Sequence, residues 1–271
     1  MFTKFNYSPS NHFYNYVLND YLTEGNRLYA EHEREVRDCL SEYITEEGII
    51  NGTALKEHWF SITKKDIFIS HSHKDINKVK AFAGWLKSCF DLEAFIDSCS
   101  WGYCDDLLNK IDKKYCYNPK RKTYNYNLRN YTTSHVHMML STALTEMIDN
   151  TECIIFFNTP NSISLATELD QIRKDGKAAK TVSPWIYHEL SMTTMLRTVE
   201  PDRAKIVAEH FSQDTRSQPQ FEYDVSKALE GLLTLTDGHL RQWYENWRHR
   251  PIQLREDALG ELYKITFPKG K

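Results

Sequence analysis

Residues 66–97 read DIFISHSHKDINKVKAFAGWLKSCFDLEAFID, and this stretch decides the fold. Ile67, Phe68 and Ile69 form a short β-branched and aromatic run that stops at the polar cluster HSHKD, the profile of a buried strand leaving a sheet. From Ile76 to Phe90 the apolar residues Val79, Phe82, Ala83, Leu86 and Phe90 recur at helical spacing, which predicts a helix with one buried face. LEAFID at 92–97 then supplies a second strand.

Outward from this unit, ECIIFFN (152–158) reads as a third strand. It is preceded by a helix in which Met139, Leu140, Ala143, Leu144, Met147 and Ile148 repeat at three and four. SPWIYHELSMTTMLR begins a further helix, with Pro184 in its first turn and Ser183 as N-cap. AKIVAEHF (204–211) and FEYDV (221–225) add two short strands, and SKALEGLLTLTDGHLRQWYENW closes with helix. In that last stretch Leu229, Leu232, Leu233, Leu240, Trp243 and Trp247 are expected to pack in the core. Short apolar strands alternating with helices give an α/β fold: a mostly parallel, five-stranded sheet covered by helices on both faces. The first 64 residues, with LYAEHEREVRDCLSEYI at helical spacing and a break at Gly48 and Gly52, are expected to form a helical N-terminal extension. Residues 65–250 are expected to form the sheet domain, and residues 251–271 a C-terminal tail.

The chain has 271 residues, a net charge of −3 and no stretch apolar enough to span a bilayer, so no membrane contact is expected and a cytoplasmic location is. A net negative molecule offers no global field for nucleic acid, which is not expected as a partner. Six scattered cysteines without a framework pattern suggest reduced thiols. Cys99, Cys104 and Cys116 with His135 and His137 match no usual zinc spacing, so no metal is expected.

In a parallel sheet, ligands bind beyond the carboxyl ends of the strands, where the strand order reverses. Position therefore nominates Ser70 and His71 after the first strand, Asp97 to Trp101 after the second and Asn158 after the third. DIFISHSHKD, then FID, a tryptophan, and later SPWIYHEL resemble the Toll/interleukin-1 receptor (TIR) domain family in its bacterial and plant-like branch, over roughly residues 65–225. The resemblance implies a flavodoxin-like TIR fold with insertions at 112–137 and 159–183. In catalytic members the glutamate of the S-x-W-x-x-x-E-L helix is essential to an NAD+ glycohydrolase, so the resemblance assigns catalysis to Glu189. It also implies NAD+ as substrate with no separate cofactor, self-association through the domain, a downstream effector protein, and a setting in bacterial anti-phage defence or signalling.

The chemistry of that role follows from the bond. Cleaving ribose from nicotinamide develops positive charge on the ribosyl carbon, and a fixed carboxylate stabilises it. Nicotinamide already carries positive charge and leaves without a strong acid, so one carboxylate suffices. Trp185 and Glu189 are four residues apart and share a helical face, which makes the indole a stacking wall beside the acid. Ser70, His71, Asp97, Trp101, Ser183 and Trp185 are the candidate substrate-binding residues. Each also has a plainer reading: a solvated acid at a helix start for Glu189, core packing for Trp185, a strand-end turn for Ser70 and His71, a junction cap for Asp97. Alternatives to a glycohydrolase are a non-catalytic TIR interaction module and a nucleoside deoxyribosyltransferase-like enzyme. The segment 113–134 holds six Lys and Arg, five tyrosines and no acid. It reads as a packed loop, a lid over phosphates or a contact for single-stranded nucleic acid.

Overall fold

A computed structural model describes residues 1–35, 50–59, 65–163, 179–199 and 223–267. Among these, the chain begins with β1 (Thr3–Tyr7), α1 (Asn11–Phe13), α2 (Leu22–Glu35) and α3 (Gly52–Trp59). Next come β2 (Ile67–Ser70), α4 (Ile76–Phe90), β3 (Ala94–Ile96), α5 (Ser98–Ile111), the two-residue strands β4 (Tyr117–Asn118) and β5 (Thr123–Tyr124), and α6 (Tyr126–Asn150). The last part holds β6 (Cys153–Phe157), β7 (Lys180–Thr181), α7 (Pro184–Met195), β8 (Tyr223–Asp224), α8 (Ser226–Glu230), β9 (Leu233–Leu235), α9 (Asp237–Arg248) and α10 (Ala258–Thr266).

Five strands form one sheet in the order β3-β2-β6-β1-β9, every pair parallel. The unit read from residues 66–97 stands as expected, with β2, α4 and β3 in sequence. Three other expectations are corrected. The segment 1–64 is not a purely helical extension: β1 lies inside the sheet between β6 and β9, in register from Thr3 opposite Cys153 to Tyr7 opposite Phe157. The closing helix is two helices separated by a strand, because Leu233–Leu235 pairs with Phe5–Tyr7 at the sheet edge. The strand expected at 221–225 is reduced to Tyr223–Asp224, which pairs antiparallel with β7 outside the main sheet. The strand expected at 204–211 lies outside the described residues, as do most of the insertion at 159–183 and Gly48. The expected tail at 251–271 carries α10, whose Leu259 and Leu262 are buried in the main core.

Side chains alternate across the strands, so each strand feeds two cores. On one face Tyr7, Phe82 and Phe157 meet with the Tyr7 ring 5.5 Å from each of the other two. Phe90 stacks on Trp243 at 3.8 Å, joining α4 to α9. On the other face Phe156 packs with Ile186 and Leu190 of α7 and Leu229 of α8. Helices thus cover both faces, and α7 lies over the Phe156 face. No helix among the described residues is long and apolar enough to cross a membrane.

Candidate active site

From β2 the chain goes first to β3 at the sheet edge and later to β6 on the other side of β2. The strand order therefore reverses between β2 and β6, and their carboxyl ends open the crevice where ligands bind in such sheets. Ser70 ends β2 directly opposite Phe156 of β6, so both side chains face α7. Helix α7 is started by Ser183, whose hydroxyl accepts from the Ile186 N–H at 3.3 Å, with Pro184 in the first turn where its missing N–H costs nothing. Five residues on from Pro184, Glu189 points inward and is 1 % exposed. Ser70 Oγ donates to Glu189 Oε2 at 2.6 Å.

Asp97 follows β3 and is fully buried. It sits at the start of α5 but makes no capping bond; its Oδ2 instead accepts from the His71 N–H at 3.3 Å. Its Oδ1 also lies against His71 Nδ1, outside hydrogen-bond alignment. The structure therefore brings Ser70, His71, Asp97 and Glu189 into one buried cluster. The Glu189 carboxyl is held well above the ordinary carboxylate range, first by burial, then by the neighbouring Asp97 charge, against the opposing Ser70 hydrogen bond. In the closed site Glu189 thus favours its proton.

The remaining candidates separate. The Ser183 hydroxyl accepts the capping bond of α7 from the Ile186 N–H, which starts the helix that carries Glu189. Trp185 is half-buried, with its ring edge-to-face on His137 of α6 at 5.5 Å. Trp101 falls within α5, and its side chain lies outside the described residues. Two residues left out of the candidate set belong with the cluster. Asn158, just past β6, and Ser98, beside Asp97, are buried, and the Asn158 amide oxygen and nitrogen and the Ser98 hydroxyl lack hydrogen-bond partners. Glu189 Oε1 and His71 Nε2 share that condition. Buried polar atoms without partners are few in folded proteins, and their gathering at the carboxyl ends of the neighbouring strands β2, β3 and β6 marks a place built for polar contacts. Strand-end position alone nominates both.

The rim is fixed separately. Asp75, buried after β2, accepts from Thr159 Oγ1 at 2.5 Å and from Asn161 Nδ2 at 3.0 Å, tying the turn after β6 to the start of α4. Among the described residues no group of three or more His, Cys, Asp or Glu is placed to hold a metal ion, and Cys89, Cys104, Cys116 and Cys153 are free thiols. Burial pushes the Cys104 thiol up to about 12, so it carries no nucleophilic thiolate at neutral pH. Compared with protein-family models, curated proteins and solved structures, the chain matches none.

A raised carboxyl makes a stability prediction with a definite sign. The folded state holds the Glu189 proton to higher pH than the unfolded chain does, so the group's contribution is fully present below the unfolded value and is lost as pH rises toward the folded one. Each unit of that interval is about 1.4 kcal/mol. Glu189→Gln removes the loss. Thermal midpoints from about pH 5 to about pH 8 should therefore move in the variant's favour relative to wild type. A wild type that gains on the variant over this interval would mean that the carboxylate is ionised and satisfied when folded.

Proposed function

We propose that the chain is a TIR-type NAD+ glycohydrolase that cleaves the nicotinamide–ribose bond, with Glu189 as the catalytic carboxylate. One observation carries this reading: a buried glutamate, bonded to Ser70, stands at the carboxyl end of a parallel sheet where the strand order reverses. The fold reading that goes with it is flavodoxin-like, with β1 occupying a place beside β6 in the sheet. The resemblance of DIFISHSHKD, FID and SPWIYHEL supplies the substrate.

In this mechanism a cationic nicotinamide ring entering the closed site replaces the proton as the charge that Glu189 meets. As the site opens to admit the ring, the carboxyl releases its proton to solvent, Ser70 keeps its orientation, and the C–N electron pair leaves with nicotinamide. The ribosyl cation that develops sits against the carboxylate, in a low-dielectric site where that attraction is strongest. Water then adds to the ribosyl carbon and loses its proton to solvent. Intramolecular attack by the adenine in place of water gives a cyclic product. Glu189 is sealed at 1 % exposure, so turnover requires the site to open, and self-association is the opening event this reading assigns. Signalling through a released ADP-ribose product to an effector protein, in a defence setting, completes the proposal.

A second reading rests on the adjacent Asp97. A neutral base leaves only when protonated, and a second carboxyl beside the first suits that task, as in nucleoside N-ribosyl transfer. The experiment incubates the full chain, at concentrations spanning monomer and assembly, with NAD+ and separately with a nucleoside plus free base. Release of nicotinamide with an ADP-ribosyl product supports the first reading, and base exchange supports the second. Intact substrates in both arms at every concentration would overturn an enzymatic role.

A further inference from the structure

The segment between α5 and the first turns of α6 is not the packed loop its tyrosines suggest. Strands β4 and β5 form a small hairpin, with Tyr117 opposite Tyr124, and every residue from Tyr117 to Tyr131 is exposed. Tyr126 is 76 % exposed and Tyr131 66 %. Lys113, Lys114, Lys120, Arg121, Lys122 and Arg129 are exposed as well, and no acid occurs from 113 to 145. Among the described residues, only Arg129 of these cations has an ion pair, to Asp112 at 2.7 Å.

The geometry places this arm at the catalytic end of the sheet. Helix α6 has 25 residues and runs into β6, which returns in the opposite sense. It is about 37 Å long, against roughly 17 Å for the five-residue strand. Its C-terminal half, from Val136 to Ile148, supplies the buried residues that anchor it to the core. The N-terminal half and the hairpin therefore stand beyond the carboxyl edge of the sheet, on the Glu189 side.

We propose that this arm binds single-stranded nucleic acid. Cations alone fit any polyanion, but the tyrosines narrow the class. Exposed rings interleaved with Lys and Arg give successive bases π-faces to stack on while the cations follow the phosphates. A duplex keeps its bases stacked internally and has no use for the rings, and an acidic protein surface uses only the charges. The chain's net charge of −3 conceals the arm, because the acids lie elsewhere in the sequence.

Fluorescence anisotropy of labelled single-stranded DNA and RNA oligonucleotides with the full chain tests the proposal, with a duplex of equal length alongside. Binding is expected to weaken roughly fiftyfold from about 50 mM to about 200 mM salt, the slope for about four phosphate contacts on a single strand. The triple variant Lys120→Glu, Arg121→Glu, Lys122→Glu should abolish binding. Tyr126→Ala with Tyr131→Ala should weaken it at least tenfold while leaving the salt slope unchanged. All five positions are exposed, so the variants should fold as wild type does, which circular dichroism checks. No binding at the lowest salt, equal binding of duplex, or indifference to the tyrosine changes would each overturn the proposal. So would a triple variant that disrupts a sedimenting oligomer when wild type binds no oligonucleotide; the arm would then be a contact between copies. None of these readouts depends on NAD+ cleavage.

Discussion

Gly84→Ala should lower the thermal midpoint by roughly 6–12 °C, the equivalent of about 3 kcal/mol at the upper end of overpacking costs. Gly84 lies in α4 and Gly25 in α2, where the two helices cross. A Cβ at Gly84 would stand 2.2 Å from the Tyr21 carbonyl oxygen and 2.7 Å from the Gly25 nitrogen. A Cβ at Gly25 would meet the Lys80 carbonyl oxygen at 1.9 Å. These are backbone atoms on both sides, so no rotamer change relieves the overlap and the helices must separate. Alanine gains about 1 kcal/mol of helix propensity over glycine, which offsets only part of the clash. Separation also loosens the packing of Phe82, Trp85 and Phe90 under the sheet, since all three project from α4. Gly238→Ala in α9 is the matched control. Its Cβ would meet only Thr236 Oγ1, at 3.5 Å, so there the propensity gain should stand alone and the midpoint should hold or rise. Equal midpoints for Gly84→Ala and wild type in thermal or urea unfolding would show that the crossing is not held by close backbone approach.

The same helices show what the sequence discloses and what it hides. Residues 66–97 are legible because their pattern is long enough to change period visibly, from a continuous apolar strand to a three-four helical repeat and back. Thr3–Tyr7 is half as informative: five residues alternating Phe5 and Tyr7 with Lys4 and Asn6, beside a helix, with a partner strand about 150 residues away that local pattern cannot name. Leu233–Leu235 fails for the opposite reason. Its leucines continue the three-four spacing of α8, and only pairing with β1 makes a strand of them. At the site, Ser70, His71, Asp97 and Glu189 are legible from strand ends and from the SPWIYHEL helix. Ser183 is legible as the N-cap of that helix from the Ser-Pro pair, and the structure gives it that bond. Gly84 and Gly25 carry no signal, since an isolated helical glycine reads as a weak spot until its neighbour's backbone is known.

Glu189→Gln should reduce nicotinamide release by about a hundred- to a thousandfold, in kcat far more than in KM. The argument rests on what the substitution leaves alone. Glutamine has the shape of glutamate, its carbonyl oxygen can accept the Ser70 hydrogen bond, and it is neutral like the protonated acid that burial favours in the closed site. Fold and substrate contacts should therefore persist, and what disappears is the charge that forms as the ribosyl cation develops. Ser70→Ala removes one hydrogen bond to that charge and should cost about ten- to a hundredfold, less than the loss of the charge itself. The order of the two variants separates mechanism from architecture: a site held together by Ser70, with Glu189 as filler, predicts the reverse. Single-turnover release of nicotinamide, measured for both variants at saturating NAD+, decides it. A Glu189→Gln enzyme within threefold of wild type would remove the carboxylate from the reaction, leaving Asp97 as the acid to be tested next.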